Sequence, residues 1–206
     1  MRKNSHQGLP YIRESPNIIF MPKSSEICQF NWDAPNFDLK STKGEKISLK
    51  NILMQNNCKG VLIMFICNHC PYVKAIIKKI VRECDDLKEK GIYSIAICSN
   101  DSETYPEDSF DNMRIFDKQH KLVFPYLHDE DQKVAKSFNA ICTPDFFGLN
   151  KFGKLQYRGR LDSDGSKQNL KTFKRELYEA MKLISISGNG PIEQFPSIGC
   201  SIKWKN

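Results

Sequence analysis

No stretch of the chain approaches the roughly 20 consecutive apolar residues that a membrane span needs. The first ten residues, Met1-Arg-Lys-Asn-Ser-His-Gln-Gly-Leu-Pro10, are basic but have no apolar core of the kind a signal peptide carries. No membrane association and a cytoplasmic location are therefore expected. Acidic residues are also in deficit, with 24 Asp and Glu against 31 Lys and Arg and a net charge of +7. Lys74, Lys78, Lys79 and Arg82 lie on the polar side of one helical pattern with no stacking aromatics between them. That pattern is a solvated face, and no nucleic-acid partner is expected. A second Cys-x-x-Cys is missing too, which argues against a zinc site built from two paired knuckles. Nothing in the 206 residues marks a second domain.

Cysteine, by contrast, is plentiful. Eight are spread along a chain with a full hydrophobic complement and no export signal, so most are expected as reduced thiols rather than as a disulfide framework. The informative pair lies in Val61-Leu-Ile-Met-Phe-Ile-Cys-Asn-His-Cys-Pro-Tyr-Val73. Val61 to Ile66 contains no polar residue and reads as a strand buried on both faces, as in a parallel sheet. After Pro71, apolar residues at Val73, Ile76, Ile77, Ile80, Val81, Cys84 and Leu87 form a 3.6-period stripe that ends at Lys90-Gly91. Pro71 suits the first helical position, which makes Cys70 the N-cap. A thiol there faces unpaired backbone N–H groups and the positive end of the helix dipole, and both favour the thiolate. A fall in pKa from about 8.5 to about 7 would raise the thiolate fraction at neutral pH from a few per cent to about half. A protonated His69 would act in the same direction.

Elements alternate along the chain. Ile92 to Cys98 is a second core strand, closed by Ser99-Asn100-Asp101. Tyr105-Pro-Glu-Asp-Ser109 is a loop ending in a helix cap, and Phe110, Met113, Phe116 and His120 continue a helical pattern. Asp129 and Gln132 have capping-box spacing for a short helix carrying Val134, Ala135 and Phe138. Phe146 to Leu149, a turn at Asn150-Lys-Phe-Gly153, and Lys154 to Arg160 read as a β-hairpin. Leu170, Phe173, Leu177, Met181 and Ile184 mark a last amphipathic helix. Upstream, 34–39 and 45–49 suggest a hairpin around Gly44. In the tail, Ile198, Cys200, Ile202 and Trp204 alternate with polar or small residues, which predicts an extended segment packed on the domain. The order β-hairpin, β, α, β, α, α, β-hairpin, α specifies a mixed α/β sheet covered on both faces.

These elements, the Cys70 helix cap and Cys142-Thr143-Pro144 together resemble the thioredoxin fold, and more narrowly the peroxiredoxin-like branch of that superfamily, related to alkyl hydroperoxide reductase and thiol-specific antioxidant proteins. The segments 65–73, 105–109, 143–147, 157–163 and 196–205 carry the resemblance from about Asp33 to the end of the chain. It implies a thioredoxin-like domain over 26–186 with the N-terminal hairpin as an extension, between an arm over 1–25 whose three prolines and few apolar residues suggest loose order and the packed tail over 187–206. It also implies a cis-proline at Pro144 beside the reactive cysteine, with the backbone of Thr143 pairing with substrate. Cys142, Asn68 and His69 then join Thr143 and Pro144 as residues expected at the substrate.

The departures are specific. Thioredoxins place the second cysteine three residues after the nucleophile, where this chain has Val73; here Cys67 precedes Cys70 by three. The peroxiredoxin pattern Pro-x-x-x-Thr-x-x-Cys falls on Ile63, Cys67 and Cys70, so its proline and its peroxide-holding threonine are absent. Arg158 or Arg160 could supply an activating arginine, against the plainer reading of a surface strand residue. The leading expectation is thiol–disulfide exchange, with Cys70 as nucleophile and Cys67 as resolving thiol, and with a thiol reductant and a disulfide as partners. The alternative is a thiol peroxidase, in which peroxide oxidises Cys70 and Cys67 or Cys142 condenses with it. A third is a metal site drawn from Cys67, Cys70, His69 and Cys142. No cofactor is implied, and a homodimer is an admissible assembly. Cys84 and Cys98 read as small buried hydrophobes, Cys28 and Cys58 have no informative context, and Cys200 is a candidate redox thiol if the Gly188-Asn-Gly-Pro191 lead-in brings it to the site.

Overall fold

The computed structural model describes residues 22–165 and 173–205. In chain order the strands are Pro22–Ser24 (β1), Asp38–Ser41 (β2), Lys46–Ser48 (β3), Gly60–Phe65 (β4), Ile92–Cys98 (β5), Tyr126–His128 (β6), Cys142–Thr143 (β7), Asp145–Asn150 (β8), Leu155–Gly159 (β9) and Ile198–Ser201 (β10). The helices are Leu49–Leu53 (α1), Pro71–Lys88 (α2), Phe110–His120 (α3), Lys133–Ser137 (α4) and Glu176–Ser187 (α5).

β4 is apolar at every position after Gly60 because it lies near the middle of a seven-stranded sheet of order β3-β2-β6-β5-β4-β8-β9. It pairs in parallel with β5, Ile63 opposite Ile95, and antiparallel with β8, Ile63 opposite Phe147. Its side chains therefore point alternately into two cores. Leu62 and Met64 face α2 and α5, with Ile77, Ile80, Met181 and Ile184. Val61, Ile63 and Phe65 face Phe138, Phe147 and Leu149. Phe138 centres that second core, with Trp32, Phe65 and Phe147 at centroid distances of 5.6, 5.7 and 5.5 Å. The stripe expected on α2 is buried at Val73, Ile76, Ile77, Ile80, Cys84 and Leu87, whereas Val81 is half-buried and Glu83 is buried instead, paired with Arg82 and Arg175. This mixed α/β sheet with helices on both faces is the thioredoxin-like architecture.

The structure departs from the expected elements in several places. β6 was not foreseen, because three residues between Pro125 and Asp129 are too few to show a period, yet β6 is the third parallel strand, against β5. The short helix α1 was also not foreseen. The Asp129/Gln132 capping box is displaced: Gln132 itself is the N-cap, with φ +61°, and the Asp129 carboxylate accepts from the Val134 and Ala135 amides at 3.2 and 2.9 Å. The last helix begins at Glu176, so Phe173 precedes it and Leu170 lies outside the described residues. The 150–153 turn forms, with Gly153 at φ +74°. Most of the expected arm over 1–25 lies outside the described residues; within it, Pro22–Ser24 form β1. They pair with β10, which pairs in turn with β7, in a second sheet of order β1-β10-β7. The tail is thus a strand docked at the start of the Pro144 turn.

Candidate active site

Pro71 occupies the first turn of α2 and Cys70 its N-cap, as the sequence requires. The Cys70 side chain makes no capping hydrogen bond. Its sulfur lies 3.1 Å from the Thr143 carbonyl oxygen and 3.1 Å from Cys200 Sγ. Cys67 Sγ lies 3.3 Å from Thr143 Oγ1, and the Thr143–Pro144 peptide bond is cis. Cys67, Cys70, Cys200, Thr143 and Pro144 therefore converge where β4, α2, β7 and β10 meet, and none of the three sulfurs is more than 1% exposed.

This convergence determines which thiol ionises. The Cys70 pKa is lowered to about 5, first by the hydrogen bond from the Cys67 thiol, with burial opposing and the Val73 amide and the Cys200 and Thr143 side chains pulling the same way. Neighbouring thiols, rather than the helix terminus foremost, thus hold the thiolate. The proton stays with the other two. Burial, together with the hydrogen bond given to Cys70, pushes Cys67 well above the ordinary thiol range and Cys200 up to about 12. One anion flanked by two donor thiols is the arrangement a nucleophile needs.

The remaining expected site residues divide. Cys142 is buried at the base of the turn, 3.6 Å from the Pro144 carbonyl, and burial raises its pKa far above the ordinary value. Asn68 and His69 are tied into the loop by Asp108, and the His69 ring lies within 4.8 Å of the Cys67 sulfur. Asp108, fully buried, accepts from the Asn68 amide at 2.7 Å, the His69 amide at 3.3 Å and the Asn100 side chain at 2.8 Å. It also pairs with His69 Nδ1 at 2.5 Å. Asn68 donates to the Glu107 carbonyl at 2.9 Å and accepts from the Tyr126 hydroxyl at 3.0 Å, and the His69 ring stacks on Tyr105. Asp108 is the organising residue that the sequence did not single out. Its signal was its place in Tyr105-Pro-Glu-Asp-Ser109, where an acid just before a capping serine reads as part of the cap. Ser109 does cap α3, accepting from the Asn112 amide at 3.4 Å.

Arg158 is not a surface strand residue. It is 4% exposed, donates to Asp145 Oδ2 at 2.9 Å and to the Asn139 carbonyl at 2.8 Å, contacts Glu26 at 3.3 Å and lies over the Phe147 ring. These partners engage its guanidinium below the Pro144 turn. Even beside it, burial pushes the Asp145 carboxyl up to about 6. Arg160 is paired with Glu176 at 2.6 Å. Of the metal candidates, Cys67 and His69 gather with Asp108, their ligand atoms all within 4.8 Å of one another. The Asp108 oxygens are already occupied by the donors named above, and Cys70 and Cys142 do not join the set.

A model of the AhpC/TSA family matches residues 31–158, which is more than half of the chain. The chain belongs to the AhpC/TSA family. Within this peroxiredoxin-like branch of the thioredoxin fold, the thiol-disulfide oxidoreductase ResA of Bacillus thuringiensis is 29% identical over 130 residues, covering 60% of this chain and 65% of ResA. The chain thus spans slightly less than two thirds of that relative's length. An uncharacterized conserved protein from Geobacillus kaustophilus, 38% identical, superposes with a TM-score of 0.82 over 90% of this chain and 97% of its own. The thioredoxin domain of a thiol-disulfide oxidoreductase from Bacteroides vulgatus, at 16% identity and a TM-score of 0.53 over 63% of this chain and 86% of that one, shows the shared fold. This AhpC/TSA member differs from the peroxiredoxin pattern in having Cys67 where the threonine would stand, and that thiol is the principal stabiliser of the Cys70 thiolate.

Proposed function

We propose that the protein is a thiol-disulfide oxidoreductase with Cys70 as nucleophile and Cys67 as resolving thiol. The observation that carries this reading is the convergence of Cys67 and Cys70, the N-cap of α2, on Thr143 and the cis peptide bond to Pro144, an arrangement in which the Cys70 pKa is lowered to about 5. The Cys70 thiolate attacks one sulfur of a disulfide, forming a mixed disulfide and expelling the other sulfur as a thiolate. Cys67, deprotonated as it attacks, displaces the remaining substrate thiol and leaves a Cys67–Cys70 disulfide, which an external thiol reductant reopens. Thr143 positions the nucleophile through its side chain, whose hydrogen bond favours the Cys70 anion. Similarity to relatives described as thiol-disulfide oxidoreductases supports the same assignment. Peroxide chemistry is less well served, because Arg158 is committed to Asp145 and the position of the peroxide-holding threonine is Cys67.

The test is reduction of insulin disulfides, with dithiothreitol as the reductant, by wild type and Cys70→Ser. Turnover should disappear in the variant. Turnover retained at the wild-type rate would remove Cys70 from the mechanism.

A further inference from the structure

β10 carries a third thiol to the nucleophile. It runs antiparallel to β7 with Cys200 opposite Thr143, and this register sets Cys200 Sγ 3.1 Å from Cys70 Sγ across 130 positions of sequence. The approach is built in at Gly199, where a Cβ would lie 2.0 Å from the Thr143 carbonyl oxygen and 2.9 Å from the Pro144 nitrogen. Polar contacts hold the segment on both sides of the thiol. Ser197 donates to the Pro144 carbonyl at 2.7 Å, the Ile202 amide to the Ile141 carbonyl at 3.2 Å, and the Lys203 amide to Asn100 Oδ1 at 2.9 Å. A buried thiol held in contact with a buried thiolate is placed for reaction as much as for packing.

We propose that Cys200 is a second resolving thiol, which closes a Cys70–Cys200 disulfide directly from the docked strand. The inference rests on Cys70 being the nucleophile and adds a partner to Cys67. After Cys70 attacks a disulfide R–S–S–R′, the Cys70–S–R bond has formed and R′ has left as thiolate. Cys200 loses its proton to a departing thiolate and attacks Cys70 Sγ; the Cys70–S–R bond breaks and R leaves. The substrate has gained two electrons and is now two thiols, while the protein has lost two and holds Cys70–Cys200. The same strand is part of what covers the nucleophile, since Cys70 is 0% exposed with Cys200 of β10 and Thr143 of β7 both 3.1 Å from its sulfur. A disulfide within a protein therefore reaches Cys70 only when β10 moves off β7, and the return of β10 delivers the resolving sulfur.

Tryptic peptides separate the outcomes, because 60–74 carries Cys67 and Cys70 while 183–203 carries Cys200. The full-length Cys67→Ser protein is treated with oxidised glutathione at pH 7, quenched with acid and digested without reduction. Peptide 60–74 linked to 183–203 is expected, whereas Cys67→Ser/Cys200→Ser should instead keep glutathione on Cys70. Glutathione remaining on Cys70 in Cys67→Ser, with no linked peptide, would overturn the proposal. No reaction of Cys70 in either variant, even when the pH is raised to about 9 to offset the lost Cys67 hydrogen bond, would contradict the proposed function itself. Gly199→Val keeps all three thiols but drives the strand off Thr143. In a folded Gly199→Val/Cys67→Ser protein the linkage should form at least tenfold more slowly, and Cys70 should react faster with a bulky maleimide. Unchanged rates for both would show that the docked strand does not deliver the thiol.

Discussion

The central residue is Cys70, whose charge is held by other thiols. Its alkylation by iodoacetamide should follow a single ionisation with a midpoint near pH 5 and level off above about pH 6. Cys200→Ala removes one of the groups that hold the thiolate, so the midpoint should move upward; an unchanged midpoint would mean that Cys200 does not interact with the anion. The folded pKa of Cys70 lies below its unfolded value of about 8.5, so the stability it contributes is fully present above about pH 8.5 and is lost as the pH falls through about 5. At this scale the sequence was informative about Cys67, Cys70 and Pro71, because a helix start fixes its own chemistry locally. It was silent about Asp108, whose four donors come from residues brought together only by the fold. It also misread Arg158, because a charged residue on a strand looks solvent-facing until Asp145 and Glu26 are found beside it.

Among the elements, the tail strand depends on α4. Gln132 donates to the Ser99 and Lys203 carbonyls at 2.7 and 2.8 Å and accepts from the Lys205 amide at 2.8 Å, so one buried amide links the end of β5, the N-terminus of α4 and the segment after β10. Gln132→Ala should cost roughly 1–2 kcal/mol, with hydrogen exchange increasing at 200–205 well before it increases in β4 or β5. Uniform loss of protection across all strands would contradict a local anchoring role. The alternation of Ile198, Cys200, Ile202 and Trp204 was legible as extended chain, but its pairing partners were not, because strands of two to four residues carry too little pattern to specify register. The longer elements β4, β5 and α2 were legible because their patterns run for six, seven and eighteen residues.

Viewed as a whole, the molecule has two cores on opposite faces of one sheet, and the three thiols belong to the face with α2 and α5. The aromatic cluster around Phe138 lies on the other face. Phe138→Ala should therefore destabilise the fold by about 3–5 kcal/mol in urea unfolding while leaving the Cys70 alkylation midpoint unchanged. A shifted midpoint in the folded variant would mean that the two faces are coupled. The segregation follows from β4, whose alternate side chains supply both cores while its C-terminal end leads directly into Cys67 and Cys70. Across the whole chain, the account reduces to the claim that a single thiolate performs disulfide exchange. The measurement that tests it most directly is the peptide map of Cys67→Ser/Cys200→Ser after brief exposure to oxidised glutathione at about pH 9, where a thiol of ordinary pKa is mostly ionised even without those two donors. One glutathione per chain, confined to Cys70, is the predicted result; a Cys70 that stays free, or glutathione distributed over the other cysteines at equal rates, would contradict it.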